Sequence, residues 1–305
     1  MRSRQATISK PVSCEGVGLH SGAPVRLTMR PALPGTGIVF ERLDVSSGRV
    51  PARFDNVVDT RLGTTIANRQ GVKIATVEHV MSALAGLEVD NAVIELTAGE
   101  VPIMDGSAAP FVGLVERAGI EEQAAPRRML RIRRPVVVRD GDKLAMLAPA
   151  DAPAFECEIA FASRAVGRQH RYFSGTSRDY VALLAEARTF GFAEEIDLLR
   201  ASGLARGGSL DNAVVLEGDA VLNPEGLRTP DEFVRHKILD AIGDLALAGG
   251  PILGHFRSVR GGHALNNRLL RTLFACSDAF DWTEPGHARE PAFAGARTAP
   301  VAALA

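Results

Sequence analysis

Cysteine is scarce here: Cys14, Cys157 and Cys276 are the only three in 305 residues. They stand far apart and are odd in number, which excludes a disulfide framework and a zinc-ribbon spacing and fits a reducing cytoplasm. Neither sign of charge dominates. The formal net charge is −1 and the isoelectric point about 6.7, so no broad surface for nucleic acid is implied. Long apolar runs are missing as well. No stretch approaches the roughly 20 residues of a membrane span, and the opening Met-Arg-Ser-Arg-Gln-Ala-Thr-Ile has no apolar core of a secretion signal. These absences argue against a transmembrane anchor and leave room for transient contact with membrane lipid. What is present is core material: 46% of residues are hydrophobic and 23% charged, enough for two soluble domains, with a monomer as the default state.

The hydrophobic periodicity switches twice between strand and helix. Up to about Val50 the chain reads as short strands and turns, with Val25-Arg-Leu-Thr-Met alternating like a half-buried strand. Residues 76–87 then carry a helical stripe of Val77, Val80, Met81, Leu84 and Leu87 with Thr76 as cap, 90–96 read as a strand, and 109–118 as a helix. Glu121–Arg128 reads as a linker by its charge and proline. Strands restart at 129–132, 135–139 and 143–147, the last two joined by a hairpin at Asp140-Gly141, and 155–161 adds another. Helices are expected at 177–187, 233–247 and after Asn266. Both halves run from strands to helices, which predicts an α+β fold of two similar domains, each a sheet with helices, the helices packed between the sheets. The boundaries are 1–122, a linker at 123–126, and 127–282. From Thr283 the tail is rich in Ala, Pro, Gly and charge and is expected to be disordered.

The helix that begins after Arg228 concentrates the chemistry. Thr229 reads as its cap, Pro230 as its first residue and Glu232 as the other half of a capping box. Val234, Ile238, Ala241, Ile242 and Leu245 form one stripe; His236, Asp240 and Asp244 fall on a different face, one turn apart. An imidazole and a carboxylate at i and i+4 can share a divalent cation, but such a face can equally be solvated beside Arg235 and Lys237. His79 is the best candidate for a third ligand, and adjacent Glu78 could take a proton from a metal-bound water. The spacing is not that of a His-Glu-x-x-His metalloprotease. Ligands drawn from both halves would put the site in the cleft between the domains. His263 follows two glycines on an expected loop and could protonate a leaving amine, with Asp244 holding it. Thr189, at an expected helix end, could hydrogen-bond a tetrahedral oxyanion. His20, in the glycine loop Gly16–Gly22, is an isolated histidine that either approaches the chemistry or is an ordinary turn residue.

Five stretches also carry a family resemblance: Thr-Val-Glu-His-Val-Met-Ser-Ala-Leu-Ala-Gly-Leu (76–87), Pro-Ile-Met-Asp-Gly-Ser (102–107), Ala-Arg-Thr-Phe-Gly-Phe (187–192), Asp231–Leu245 and Gly-His-Ala-Leu-Asn-Asn (262–267). Together they resemble the zinc-dependent UDP-3-O-acyl-N-acetylglucosamine deacetylases, which catalyse the committed step of lipid A biosynthesis. The resemblance implies His79, His236 and Asp240 as ligands of one catalytic Zn2+ (with Fe2+ an alternative in the cell), Glu78 as general base, His263 as general acid with Asp244 as its partner, and Thr189 as oxyanion donor. It further implies Lys237 and Phe190 as substrate contacts. Phe161, Lys143 and Arg260 are implied near the nucleotide. A β-α-β insert at about 191–215, including Ile196 and Gly208, is implied as the passage for the acyl chain. The implied partner is acylated UDP-N-acetylglucosamine in a Gram-negative cytoplasm, with no nucleic acid. One departure stands out: many members have cysteine where this chain has Gly63, which bears on metal preference rather than on activity.

Two rivals follow from the residues. A zinc amidase for another N-acyl compound would have no use for an apolar insert. A purely structural metal clamp would close the site with four protein ligands.

Overall fold

The computed structural model describes residues 2–284, the side chain of Asp197 excepted. The first half comprises β1 (Arg4–Ile8), β2 (Val12–Val17), β3 (Pro24–Pro31), β4 (Ile38–Arg42), β5 (Arg49–Pro51), β6 (Val57–Asp59), β7 (Thr65–Ala67) and β8 (Lys73–Ile74), then α1 (Glu78–Gly86), β9 (Ala92–Leu96), α2 (Ala109–Ala118) and β10 (Ile120–Pro126). The second half continues with β11 (Met129–Ile132), β12 (Val136–Asp140), β13 (Lys143–Ala148), β14 (Ala154–Ala160) and β15 (Arg168–Phe173). There follow α3 (Ser177–Leu183), β16 (Phe190–Phe192), α4 (Ala193–Ala201), β17 (Val214–Glu217) and β18 (Ala220–Val221). The described chain closes with α5 (Glu232–Ala246), β19 (Ile252–Leu253), β20 (His255–Val259), α6 (His263–Ala275) and β21 (Phe280–Thr283).

The main sheet of the first half has the strand order β2-β3-β9-β4-β5 and that of the second half β12-β13-β20-β14-β15. The two correspond pairing for pairing: antiparallel, antiparallel, parallel, antiparallel. Helices also fall in matching places, α1 before and α2 after β9, α5 before and α6 after β20. The expected α+β chain of two similar halves is therefore observed, the likeness lying in topology rather than in repeated residues. Each sheet turns one face inward, with Val25, Leu27 and Met29 buried on β3 and Ala145 and Leu147 on β13. Against these faces lie the helices: α2 on β2, α6 on β12 and β13, and α5 on β14 and β15, while α1 and α5 pack directly against each other. Helices fill the middle and the sheets flank them.

The α1–α5 contact is unusually close. A Cβ on Gly243 would stand 2.0 Å from the carbonyl oxygen of Glu78, so only glycine lets the two backbones approach this far. Burial follows on every side of α5. Besides Val234, Ile238, Ala241, Ile242 and Leu245 it buries Glu232, His236, Asp240 and Asp244. The solvated-face reading of that helix is thereby excluded, because polar groups this deep need partners.

Several local expectations are corrected. The capping box at Thr229 does not form; Asp231 precedes α5, and Glu232 turns instead to the buried Arg188, its Oε1 2.9 Å from Arg188 Nε. Its Oε2 accepts the Arg228 backbone N–H at 2.7 Å, one residue ahead of the expected cap, so the carboxylate is shared between the chain entering α5 and a buried charge. Thr76 does not cap α1 either. Its backbone is left-handed at φ 59° and its hydroxyl donates to Glu100 Oε1. The 120–126 stretch, read as a linker towards its end, is β10 paired with β1, its charges facing solvent. The helix expected at 177–187 stops at Leu183, which leaves Thr189 in the loop before β16, and α6 starts at His263 rather than after Asn266. Thr283, expected to begin a disordered tail, pairs with Met129 in β21, and the tail from residue 285 lies outside the described residues. The β-α-β insert is present as β16, α4 and a parallel β17.

Filling the helix contact tests this packing. Gly243→Val should lower the urea midpoint of the metal-free chain by an amount corresponding to about 1–3 kcal/mol of overpacking. An unchanged midpoint would mean that α1 and α5 are not held this closely.

Candidate metal centre

The helix contact brings His79, on the first turn of α1, to His236 and Asp240 on α5. One ligand atom from each of these buried residues lies within 4.8 Å of the others. Asp240 Oδ1 stands 3.3 Å from His236 Nε2 and 3.6 Å from His79 Nε2. The two imidazoles meet edge to face with centroids 5.0 Å apart. Burial, opposed by Asp240, pushes His236 down to about 3, so its ring is neutral. Its Nδ1 donates to the Ala187 carbonyl at 3.0 Å, which leaves an unprotonated Nε2 facing a carboxylate oxygen. Two acceptors so placed repel unless a cation lies between them. Asp240 Oδ1 is indeed buried with no hydrogen-bond donor among the described residues, and such an orphan calls for an ion. Two imidazoles and a carboxylate suit a divalent transition metal, and three protein ligands rather than four leave a coordination position open.

The remaining polar groups are arranged around this triad. Lys237 Nζ donates to Asp240 Oδ2 at 2.9 Å. Burial opposes the charges of both residues, but their mutual attraction prevails, raising Lys237 and holding Asp240 well below the carboxylate range. Glu78 opens α1, where the helix dipole favours a carboxylate. Its Oε2 accepts from the Thr64 backbone N–H at 2.9 Å, and burial raises its pKa against the pull of His263 and His79. A Cβ on Gly63 would come within 2.7 Å of Glu78 Oε1, so glycine there keeps the second oxygen clear. His263 Nδ1 donates to Asp244 Oδ2 at 2.8 Å, and its Nε2 lies 3.9 Å from Asp240 Oδ2. Burial works against charge on His263, but Asp244, Glu78 and Asp240 outweigh it and lift it to about 10.

Other expected residues fall into two groups. Phe190 belongs to the centre, its ring 6.4 Å from that of His236 and under the Lys237 ammonium at 5.4 Å. Phe161 packs on Phe190 and Phe192 at 5.6 and 5.8 Å. Thr189 is held through its backbone, its N–H on Gly106 and its carbonyl on Val214, both at 2.8 Å. Lys143 and Arg260 lie instead at the hairpin end of the second sheet, where Asp142 holds the Arg260 guanidinium. Ile196 is half-buried on α4, and Gly208 lies near Leu19. His20 reaches Leu62 O at 3.3 Å, next to Gly63.

Sequence reasoning missed several supporting groups. The Thr64 hydroxyl donates to Asp244 Oδ1 at 2.5 Å, and Asn266 Nδ2 donates to Asp244 Oδ2 at 2.9 Å. Asn266 follows His263 by three residues on one helix face, a signal that spacing could have supplied. Thr64 has no such signal, being far from Asp244 along the chain. Arg188 likewise braces the loop that carries Ala187 and Thr189, through Glu232, Glu225 and the Gly226 carbonyl.

Residues 5–275 match the family described as UDP-3-O-acyl N-acetylglycosamine deacetylase. Curated proteins named UDP-3-O-acyl-N-acetylglucosamine deacetylase are similar over most of the chain. That of Phenylobacterium zucineum is 52% identical over 278 residues, covering 90% of this chain and 95% of its own. That of Myxococcus xanthus is 51% identical, covering 91% and 88%, and that of Shewanella sp. strain W3-18-1 is 51% identical, covering 91% and 92%.

Two outcomes are expected of the triad. Added divalent metal should raise the unfolding temperature of the metal-free chain, and Asp240→Ala should lose both that rise and the bound metal. Full metal occupancy in Asp240→Ala would remove Asp240 from the ligand set. In the metal-free chain, His236 is held at about 3 against an ordinary 6.5. Its contribution to stability is complete above pH about 6.5 and is lost as pH falls toward about 3. Urea unfolding from pH about 7 to about 4 should show that loss, and His236→Gln should flatten it.

Proposed function

The chain belongs to the UDP-3-O-acyl N-acetylglycosamine deacetylase family, and from that premise we propose which of its residues carry the reaction. It is a metal-dependent amide hydrolase that converts UDP-3-O-acyl-N-acetylglucosamine and water into UDP-3-O-acyl-glucosamine and acetate in lipid A biosynthesis. The observation that carries the assignment of roles is the orphaned Asp240 Oδ1 between two imidazoles, with Glu78 and the His263–Asp244 pair beside it. His79, His236 and Asp240 would hold the ion. The donor set favours zinc, while iron(II) takes the same ligands and metal availability decides between them. When bound, the ion polarises the acetamide carbonyl and acidifies a water.

Glu78 takes the proton of the attacking water. Its Oε2 is tied to Thr64, so Oε1 is the basic atom, and burial that raises its pKa lets it keep the proton. His263 starts protonated, and its Nε2 delivers a proton to the departing amine as the C–N bond breaks. Asp244 fixes the ring through Nδ1. The Thr189 hydroxyl steadies the oxygen that becomes negative at the former carbonyl. Lys237, neutralised by Asp240 and lying over Phe190, contacts the sugar side. Ile196 and Gly208 of the insert supply an apolar path for the acyl chain, Phe190 packs at the site, and Phe161 with Lys143 and Arg260 serves the nucleotide. In this reading the first domain spans 1–122, the second 127–282, and the reaction belongs to a Gram-negative cytoplasm. Among the described residues no helix is long and apolar enough to cross a membrane.

Glu78→Ala and His263→Ala should each lower turnover by about 10²–10⁴ while keeping the fold. Near-wild-type turnover in both would overturn the assignment. The acyl passage is tested separately: UDP-N-acetylglucosamine without its acyl chain should be a far poorer substrate by kcat/KM, and equal rates would remove the insert from recognition.

A further inference from the structure

Thr64 lies immediately before β7, is 2% exposed, and spends each of its polar groups on the site. Its N–H donates to Glu78 Oε2 at 2.9 Å, its carbonyl accepts from the Val77 N–H at 3.2 Å, and its hydroxyl donates to Asp244 Oδ1 at 2.5 Å. We infer that Thr64 is a positioning residue that sets the general base and the general acid against each other across the two halves of the chain. The inference rests on the roles proposed for Glu78 and His263.

The geometry gives each bond a separate consequence. Glu78 has two oxygens, and only one can work on a water. The Thr64 N–H occupies Oε2, and Oε1, next to the open side of Gly63, is left to react. Asp244 has the same ambiguity. With Thr64 on Oδ1, the other oxygen is left to His263 Nδ1 at 2.8 Å and Asn266 Nδ2 at 2.9 Å. That carboxylate therefore cannot rotate without losing a donor, and the imidazole on it is aimed by the same constraint. Glu78 and Thr64 come from the first half, Asp244, His263 and Asn266 from α5 and α6 of the second. The hydroxyl is thus a side-chain bond that ties the acid's partner to the strand next to the base. A residue placed only for packing would leave its hydroxyl on its own backbone or on water.

Valine has the volume of threonine and keeps the two backbone bonds, so Thr64→Val removes only the hydroxyl. Losing a buried hydrogen bond to a charged group should lower kcat about 10–100-fold, with KM changed by less than about threefold and metal content as in the wild type. Thr64→Ser should recover most of the rate. In a double-mutant cycle, Thr64→Val should add little to Asp244→Asn, since both act through one carboxylate. Wild-type kcat in Thr64→Val, or losses that multiply in the double variant, would overturn the inference. Glu78→Ala and His263→Ala, assayed alongside, separate the two levels: their failure to slow turnover defeats the roles themselves, whereas their slowing with an indifferent Thr64→Val defeats Thr64 alone.

Discussion

The close approach of α1 to α5 is the constraint on which the rest depends. With no side chain at Gly243, the backbone of Glu78 settles against the C-terminal part of α5, and the first turn of one helix faces the polar ridge of the other. Both helices are then surrounded by protein. Hydrophobic burial from two sheets supplies the driving force, and it takes His79, His236, Asp240 and Asp244 out of water along with the apolar stripe. Charges in such a place are tolerated only when matched. The site is where the fold concentrates its unfavourable burial.

That burial explains the division of labour among groups of similar chemistry. His236 is buried and His263 partly so, both beside carboxylates, yet they are driven in opposite directions. His236 faces another imidazole and Lys237, and desolvation keeps it neutral and ready to ligate. His263 faces Asp244 with Glu78 and Asp240 nearby, and these carboxylates overcome the same desolvation. The carboxylates divide likewise: Asp240, hydrogen-bonded to Lys237, stays ionised, while Glu78, equally buried but without such a partner, holds a proton more readily. Neighbours set these roles; residue type does not.

Around this centre the two halves repeat one topology but contribute differently. The first places Glu78 and His79 at the start of α1; the second places His236 and Asp240 on α5 and His263 at the start of α6. The second also carries the insert, β16 to β17, and the Arg188–Glu232 pair that holds the loop bearing Ala187. The pattern shared at the level of strand order has thus been elaborated at the same place in both halves, by the small β6-β7-β8 sheet in the first and by β16 to β18 with α4 in the second.

Much was legible in the chain itself. The four-residue spacing of His236 and Asp240, the adjacency of Glu78 and His79, and the period-two strands are local properties, and local periodicity survives folding because it decides which face is buried. The failures were also local in appearance. Thr229 looked like a cap and Glu121–Arg128 like a linker, and each was overruled by a partner remote in sequence: Arg188 for Glu232, and β1 for β10. Whether the polar face of α5 was wet or dry could not be read from the helix alone, because exposure depends on what packs against it. The same holds for Thr64, whose hydroxyl bond to Asp244 has no signature in spacing. Sequence alone determined the residue types and their helical register. Tertiary structure decided which oxygen of Glu78 is engaged, which groups fix the two oxygens of Asp244 and which histidine carries a proton, since all depend on distances between segments far apart in the chain.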